Sequence, residues 1–325
     1  MSRRDTAAAG ALLIGLIAIP HVMGGSYILD LGVLTFLFIS QAIAWNVLGG
    51  YAGQISFSYA AFFGIGAYST GVLWLHGWQP LLTLPIGAAL AAIFSLIIGL
   101  PAFRLTGPYF SIATLGVGLA MRVVALNTEA ITGGASGLNL PTQVPGKEWF
   151  YYSMLILMSG CFLVSAWVRR SRFGMALTAL RLDQAAAASL GVNVALYKNL
   201  AHTLGAVLVA AGGGIYAVYF QYIHPDQVFG FEISIGMVLM PVIGGLGTLW
   251  GPVLGGTLYY AIQDTLLTVF PFAHLLVYGL LLMVIMLIEP RGLLGFARLL
   301  RPTLVMLSPA KQPYPLTPDS SLRSE

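Results

Sequence analysis

Long apolar runs separated by short polar stretches repeat along the whole chain. A helix needs about 20 apolar residues to cross the hydrocarbon core of a bilayer. The pattern therefore predicts an all-α, polytopic membrane protein with about ten transmembrane helices. Counts of eight or nine stay open, because the third run follows a glycine-rich stretch and only Phe270-Pro271-Phe272 separates the last two. The ten predicted spans are roughly 7–23, 28–48, 57–75, 81–100, 108–126, 150–168, 197–219, 231–249, 252–270 and 272–289.

The polar stretch 169–198 lies between the sixth and seventh runs and interrupts this pattern. It holds five basic residues, and each would cost about 2.5–3.5 kcal/mol at the centre of a bilayer. Residues 175–190 contain neither Gly nor Pro, and Gly191 follows where a C-terminal helix cap is expected. We predict one short helix over 175–190, held outside the lipid. It is either a solvated connector or a docking helix for a partner subunit.

Composition supports lipid as the main solvent of this chain. Apolar residues make up 58% and charged residues only 8% of the sequence, whereas globular proteins carry roughly 25% charged residues. The mean hydropathy is +0.86. Cys161 is the single cysteine, which excludes an internal disulfide and argues against a cysteine metal site.

The basic residues predict the orientation of the chain. With the N-terminus in the cytoplasm and ten alternating spans, 13 of the 15 Lys and Arg residues fall on the cytoplasmic side, as the positive-inside rule requires. Lys147 lies in the predicted outer loop 127–149, and Arg122 lies near the outer end of a span. We therefore expect both termini in the cytoplasm and a membrane domain over 1–301. The N-terminal segment MSRRDTAAAGALLIGLIAIP resembles a signal sequence, and a retained first span is favoured over a cleavable signal. The proline-rich tail, 302–325, is predicted to be disordered.

Glycine marks a second pattern, because many of the 39 glycines lie inside predicted spans. Close packing of membrane helices accounts for most of them. One motif occurs twice, as VLGGYAG at 47–53 and VIGGLG at 242–247. Both copies fall at the cytoplasmic end of a span that runs inward. The repetition indicates a weak internal duplication, which many transporters have.

Ionisable residues are scarce within the predicted spans. Asp264 is the one acidic residue placed far enough from a span end to be a candidate for ion coupling. This scarcity favours an energy source outside the chain, with an ion-coupled secondary carrier as the alternative. No phosphate-binding loop of the GxxxxGK[ST] type is present. We therefore expect no cofactor on this chain, no metal site and no catalytic residue.

A serine motif at 134–137 raises a remote alternative, an intramembrane serine protease. Gly134-Ala135-Ser136-Gly137 matches the Gly-x-Ser-Gly string of such enzymes, and His202 or His274 would have to serve as the base. Ser136 falls in the outer loop between glycine and proline residues. A glycine-rich turn is therefore the favoured interpretation.

Five segments in order resemble the permease subunits of branched-chain amino acid ABC importers, the LivH/LivM family, and the likeness is stronger to the LivM side. The resemblance implies an ABC importer permease fold and extends over most of residues 25–295. The segments are 46–68 (NVLGGYAGQISFSYAAFFGIGAY), 104–116 (RLTGPYFSIATLG), 132–141 (TGGASGLNLP), 172–198 (RFGMALTALRLDQAAAASLGVNVALYK) and 244–256 (GGLGTLWGPVLGG).

The resemblance implies that the loop 169–198 couples the permease to an ATPase subunit. Asp183-Gln184 stands where the family usually has Asn-Glu, and Ala188 stands where an acidic residue is common. The contact here is therefore expected to be more apolar. The implied coupling residues are Arg172, Arg181, Asp183, Gln184, Ala185, Ala186, Ala187, Ala188 and Gly191.

The resemblance also implies a substrate path through the broken helices. Arg122 is placed to attract a substrate carboxylate, although a helix-end arginine reaching to the interface is an equal interpretation. Ala120 and Gly236 stand where family members often carry Glu, so the substrate need not be a branched-chain amino acid; urea, short amides and aromatic acids are open. The implied path residues are Gly49, Gly50, Gly53, Gln54, Arg122, Gly244 and Gly245.

The resemblance further implies the partners and the location of the protein. The expected partners are two ABC ATPase subunits, which would bind the ATP, a second LivH-like permease subunit and a periplasmic substrate-binding protein. The expected location is the bacterial inner (plasma) membrane. No nucleic-acid partner is expected, because the net charge of +4 follows the membrane topology.

Overall fold

A computed structural model describes residues 3–22, 25–105, 107–269, 280, 283 and 292–294. Over these residues the chain is almost entirely helical, with one π-helical turn, one 3-10 turn and two short strands. The helices are α1 (Arg3–Val22), α2 (Ser26–Asn46), the π-helical turn (Val47–Tyr51), α3 (Tyr59–Leu75), α4 (Pro80–Ala102), α5 (Pro108–Asn127), α6 (Glu129–Thr132), the 3-10 turn (Gly134–Ser136), α7 (Lys147–Arg170), α8 (Arg172–Leu182), α9 (Gln184–Ser189), α10 (Val194–Phe220), α11 (Pro225–Val228), α12 (Phe231–Gly244) and α13 (Gly251–Val269); the strands are β1 (Leu138–Asn139) and β2 (Tyr222–Ile223).

Each of the first nine predicted spans coincides with a helix, so the prediction of a helical membrane protein is confirmed. Six helical segments of the described residues are long and apolar enough to cross a membrane, and α3 and residues 12–21 are shorter apolar helices. α13 is not among the six. The tenth predicted span, 272–289, lies largely outside the described residues, as does the tail 302–325. The count of about ten spans stays a prediction.

Proline and glycine define where several helices begin. Pro80 and Pro108 are the first residues of α4 and α5, the position at which proline fits a helix because its missing N–H would be unpaired there anyway. Gly107, just before α5, has φ +58°, a conformation that favours glycine. These breaks separate long apolar helices that would otherwise merge.

α10 is the central helix of the bundle. Its run of three glycines faces three neighbours: Gly212 lies against Gln41 of α2, Gly213 against the carbonyl of Phe63 of α3, and Gly214 against side chains of α3 and α4. A methyl group at Gly213 would collide with the Phe63 carbonyl oxygen. This backbone-to-backbone contact confirms close packing as the role of these glycines.

α2 is the second organising helix. Gly32 holds the ring of Tyr151 from α7, and Phe36 meets the same ring edge-on at 5.1 Å between centroids. About two turns further along, α2 receives Gly256 of α13 against Ile39. α7 and α13 therefore both pack against α2.

Polar contacts tie together the end of the bundle that carries residues 127–149. Asp30 of α2 pairs with Lys147 of α7 and accepts a hydrogen bond of 2.6 Å from the Tyr219 hydroxyl of α10. β1 and β2 pair antiparallel there, with Leu138 opposite Ile223. These contacts join the loop that follows α5 to the end of α10. We call this end the 127–149 end, and the opposite one the 169–198 end.

Candidate coupling site

The loop between α7 and α10 folds onto the 169–198 end of the bundle. The chain turns sharply at Ser171, whose side chain accepts a hydrogen bond from the Gly174 amide and caps α8. Gly174 lies directly against the Val168 carbonyl oxygen. α8 then buries Leu177 and Leu180 completely. One face of α8 is thus part of the protein core and not a free surface.

The prediction of one helix over 175–190 was wrong, because the chain breaks at Asp183. Its backbone is extended (φ −156°, ψ 118°), and its carboxylate accepts hydrogen bonds from the amides of Ala185 and Ala186 at 2.8 and 3.0 Å. Aspartate is among the most favoured residues at a helix N-cap. The N-cap preference of Asp183 was therefore visible in the sequence Leu182-Asp183-Gln184-Ala185. The break at Asp183 divides the loop into α8 and α9.

Gly191 ends α9, as the sequence predicted. Its φ is +89°, and its amide bonds to the Ala188 carbonyl while the Val192 amide bonds to the Ala187 carbonyl. This pair of bonds is the Schellman motif, which requires a left-handed residue at this position. The loop therefore returns to α10 through a fixed turn.

The surface of α9 is apolar and exposed. Of the four consecutive alanines only Ala187 is buried, while Ala185, Ala186 and Ala188 are exposed. Leu182 and Leu190 flank α9 with 83% and 85% of their surfaces exposed. Two leucines this exposed, on a loop outside the spans, form an unpartnered apolar surface that fits a protein interface. We call Leu182, the exposed alanines and Leu190 the α9 surface.

The charged and polar residues of the loop divide between water and the bundle. Arg172 and Arg181 are both exposed, but Arg181 also donates a hydrogen bond of 2.6 Å to the carbonyl oxygen of Gly50. Gln184 accepts a hydrogen bond of 2.8 Å from the buried ammonium group of Lys198. The predicted coupling residues are thus together on one loop, but some of them bind the bundle and others face outward.

The two glycine motifs meet beneath this loop. α2 ends in the π-helical turn, and α12 ends at Gly244 with Gly245 in an unusual conformation (φ 127°). The buried amide of Asn46 bridges the two breaks: it accepts from the Gly247 amide at 3.0 Å and donates to the Thr248 carbonyl at 3.1 Å. A methyl group at Gly50 would lie 2.7 Å from the Gly247 nitrogen.

The remaining predicted path residues lie beside these breaks or far from them. Gly49 packs against the ring of Trp45, Gly53 has φ +69°, and Gln54 follows in the irregular segment before α3. Arg122 lies at the 127–149 end, where its guanidinium donates to Asp226 at 2.6 Å. Its charge is already paired, and both side chains are about half exposed. Whether any of these residues contacts substrate stays a prediction.

A buried polar network around His202 was missed by sequence reasoning. Both ring nitrogens of His202 are hydrogen-bonded. One bonds to Ser58, the residue just before α3, at 3.0 Å, and the other bonds to Ser95 of α4 at 2.9 Å. Ser58 also bonds to Ser56, and Ser95 to Thr203. The partners come from distant parts of the chain, so no spacing in the sequence signalled the network.

The protease alternative finds no support in this arrangement. Ser136 lies in the 3-10 turn at the 127–149 end, where its carbonyl accepts from Tyr222. His202 is committed to Ser58 and Ser95, and His274 lies outside the described residues. His224 reaches this turn but contacts the Ala135 carbonyl. Asp264, weighed for ion coupling, lies at the same end, within 3.3 Å of the hydroxyl of Tyr27 at the start of α2.

Long apolar helices packed through glycines, with an exposed loop at one end, are typical of a multi-pass membrane protein. Residues 27–288 match the family described as branched-chain amino acid transport system / permease component. The chain belongs to this family of permease subunits, and its members are not themselves enzymes. The family confirms the resemblance on which the coupling and path residues were chosen.

Characterised relatives agree with this assignment. The high-affinity branched-chain amino acid transport system permease protein LivM of Escherichia coli K12 is 28% identical over 323 aligned positions, which cover 89% of this chain and 74% of LivM. The permease protein LivH of the same strain is 24% identical over 280 positions, covering 78% of this chain and 90% of LivH. A probable LivM of Methanocaldococcus jannaschii is 24% identical over 229 positions, covering 63% and 66%. No solved structure matches the chain.

Proposed function

We propose that this chain forms one half of the translocation path of an ATP-driven ABC importer and receives its driving force through the α9 surface. The observation that carries the proposal is the pair of nearly fully exposed leucines, Leu182 and Leu190, on a loop that is otherwise anchored in the bundle. A solvated connector has no need of such residues. A groove on an ATPase subunit would cover them.

The proposed orientation places the 169–198 end in the cytoplasm of a bacterial inner membrane. The positive-inside rule supports this side, because the loop carries five basic residues. Gly292 packs against Gly245, at the end of the bundle where α13 begins. The proposed topology has ten spans with both termini in the cytoplasm, and the position of Gly292 beside Gly245 supports it.

The proposed complex contains two ATPase subunits, a second permease subunit and a periplasmic substrate-binding protein. The matched relatives include LivM and LivH, two different permease proteins of one strain, which supports a heterodimer. Only 22% of the residues in the most apolar windows of α4 and α5 are buried. These two helices have the free surface that lipid and a second permease would share.

The proposed substrate is a branched-chain or other hydrophobic amino acid, or a related small solute such as urea, an amide or an aromatic acid. The names of the relatives support the first class. Gly236, where family members often carry Glu, supports a substrate other than a branched-chain amino acid. Its Cβ position lies 2.9 Å from the Tyr259 hydroxyl, so a glutamate would not fit there without rearrangement. Selection would lie mainly with the binding protein. The permease would then need only a low-affinity path.

Uptake into proteoliposomes tests this function. The permease, its partner permease and the ATPase subunits are reconstituted, and the binding protein is added outside with radiolabelled leucine. We expect uptake that requires ATP inside, and at least a ten-fold loss when ATP hydrolysis by the ATPase subunits is abolished. Parallel assays with phenylalanine and urea distinguish the substrate classes. Leucine uptake driven by a proton or sodium gradient, without ATPase subunits, would contradict the proposal and favour a secondary carrier.

A further inference from the structure

Arg181 is the polar link between the coupling loop and the broken helix ends, and its contacts assign it a role separate from docking. It is the second-last residue of α8, and its guanidinium points away from the α9 surface toward the bundle. There it donates to the Gly50 carbonyl oxygen at 2.6 Å. That carbonyl belongs to the π-helical turn, where the chain is about to leave the helix and carbonyl groups lose their helical partners.

Two glycines make room for the arginine. A Cβ atom at Gly53 would lie 2.9 Å from the Arg181 Cγ, and one at Gly247 would collide with its Nη1. Both glycines have positive φ, +69° and +71°, so the backbone conformation and the contact each favour glycine. One side chain thus touches both copies of the repeated glycine motif.

The two breaks are also joined directly to each other. Asn46 is fully buried and hydrogen-bonded to Gly247 and Thr248. The end of α2 and the turn between α12 and α13 are therefore tied as one unit. The hydrogen bond from Arg181 to Gly50 is the polar contact that the described residues show between the α8–α9 loop and these joined helix ends.

We propose that Arg181 transmits movement of the coupling loop to the joined breaks of α2 and α12, and that it acts as a positioning residue and not as part of the ATPase-binding surface. This inference rests on the proposed function. A push on α9 displaces α8, and Arg181 carries the displacement to Gly50 and Gly247. Glycine-rich breaks at both positions let the ends of two spans move with it. The Lys198–Gln184 contact ties α9 to α10 in parallel.

The test compares Arg181→Ala, Arg181→Lys and Arg104→Ala in the reconstituted transporter. Arg104 is the control, since it is an exposed arginine in the turn between α4 and α5, outside the coupling loop. For each variant we measure ATPase-subunit binding, ATP hydrolysis and leucine transported per ATP hydrolysed. We expect Arg181→Ala to bind the ATPase and hydrolyse ATP within two-fold of wild type, but to transport at least ten-fold less leucine per ATP. Arg181→Lys should be intermediate, because lysine keeps the charge but lacks the planar fork, and Arg104→Ala should match wild type.

Three outcomes would overturn the inference. The first is an assembled Arg181→Ala complex whose leucine-to-ATP ratio stays within two-fold of wild type. The second is loss of assembly in both Arg181→Ala and Arg181→Lys, which would make the residue structural. The third is an equal loss of transport per ATP in Arg104→Ala. If the wild-type chain binds no ATPase subunit, the proposed function itself fails. If the wild-type chain binds the ATPase and transports leucine but one of the three outcomes is found, only the inference about Arg181 fails.

Discussion

Replacing both Leu182 and Leu190 by glutamate is expected to abolish stable binding of the ATPase subunits. Each leucine is more than four-fifths exposed, and burying a leucine in an interface contributes about 1.5–3 kcal/mol. Two charged replacements lose this contribution and add a desolvation cost, so affinity should fall roughly 100-fold or more. Co-purification from detergent and titration of purified ATPase subunit measure the effect.

The matched control replaces the same two leucines by methionine. Methionine keeps a similar apolar surface and adapts to irregular grooves, so binding should stay within about three-fold of wild type. Both variants should insert normally, because neither leucine packs in the bundle. Undiminished binding by the double glutamate variant would show that the α9 surface is a solvated connector.

The substitution Gly213→Ala is expected to destabilise the bundle more than any single change on the loop. The added methyl group would collide with the Phe63 carbonyl, so α10 and α3 would have to separate. Overpacking of this kind costs about 1–3 kcal/mol, and a rigid backbone neighbour places it toward the upper limit. We expect a fall of roughly 5 °C in the melting temperature in detergent, with a reduced yield of monodisperse protein.

Gly160→Ala is the control for this prediction. Gly160 lies inside α7, and no heavy atom outside its own helix backbone lies within 4 Å of its Cβ position. Glycine in the middle of a helix is less favourable than alanine by roughly 0.5–1 kcal/mol, so this variant should be neutral or slightly stabilised. Equal melting temperatures for the two variants would contradict the central position of α10.

Local signals in the sequence were sufficient to predict most helices and the end of α9. Apolar runs of span length predicted the long helices, and Gly191, which acts through the backbone of a few neighbouring residues, predicted the end of α9. The break at Asp183 was also local and was missed. The alanine run suggested a continuous helix, while the N-cap preference of aspartate prevailed.

Contacts between distant segments could not be predicted. Asn46 bridges to Gly247 across 201 residues, and His202 bonds to Ser95 across 107. Both depend on which face each helix turns to its neighbours, and apolar periodicity does not report this when lipid and core are equally apolar. The repeated glycine motif did indicate that 47–53 and 242–247 are related. It did not indicate that the two segments touch, or that Arg181 contacts both of them.

The direct test of the account is the side of the membrane on which α9 lies. A cysteine placed at Ala186 is suitable, because Ala186 is exposed and the native Cys161 is buried. A membrane-impermeant maleimide should label Ala186→Cys in inverted membrane vesicles but not in intact cells, and added ATPase subunits should block the labelling. Labelling of Ala186→Cys in intact cells would place the loop on the periplasmic side and contradict the account.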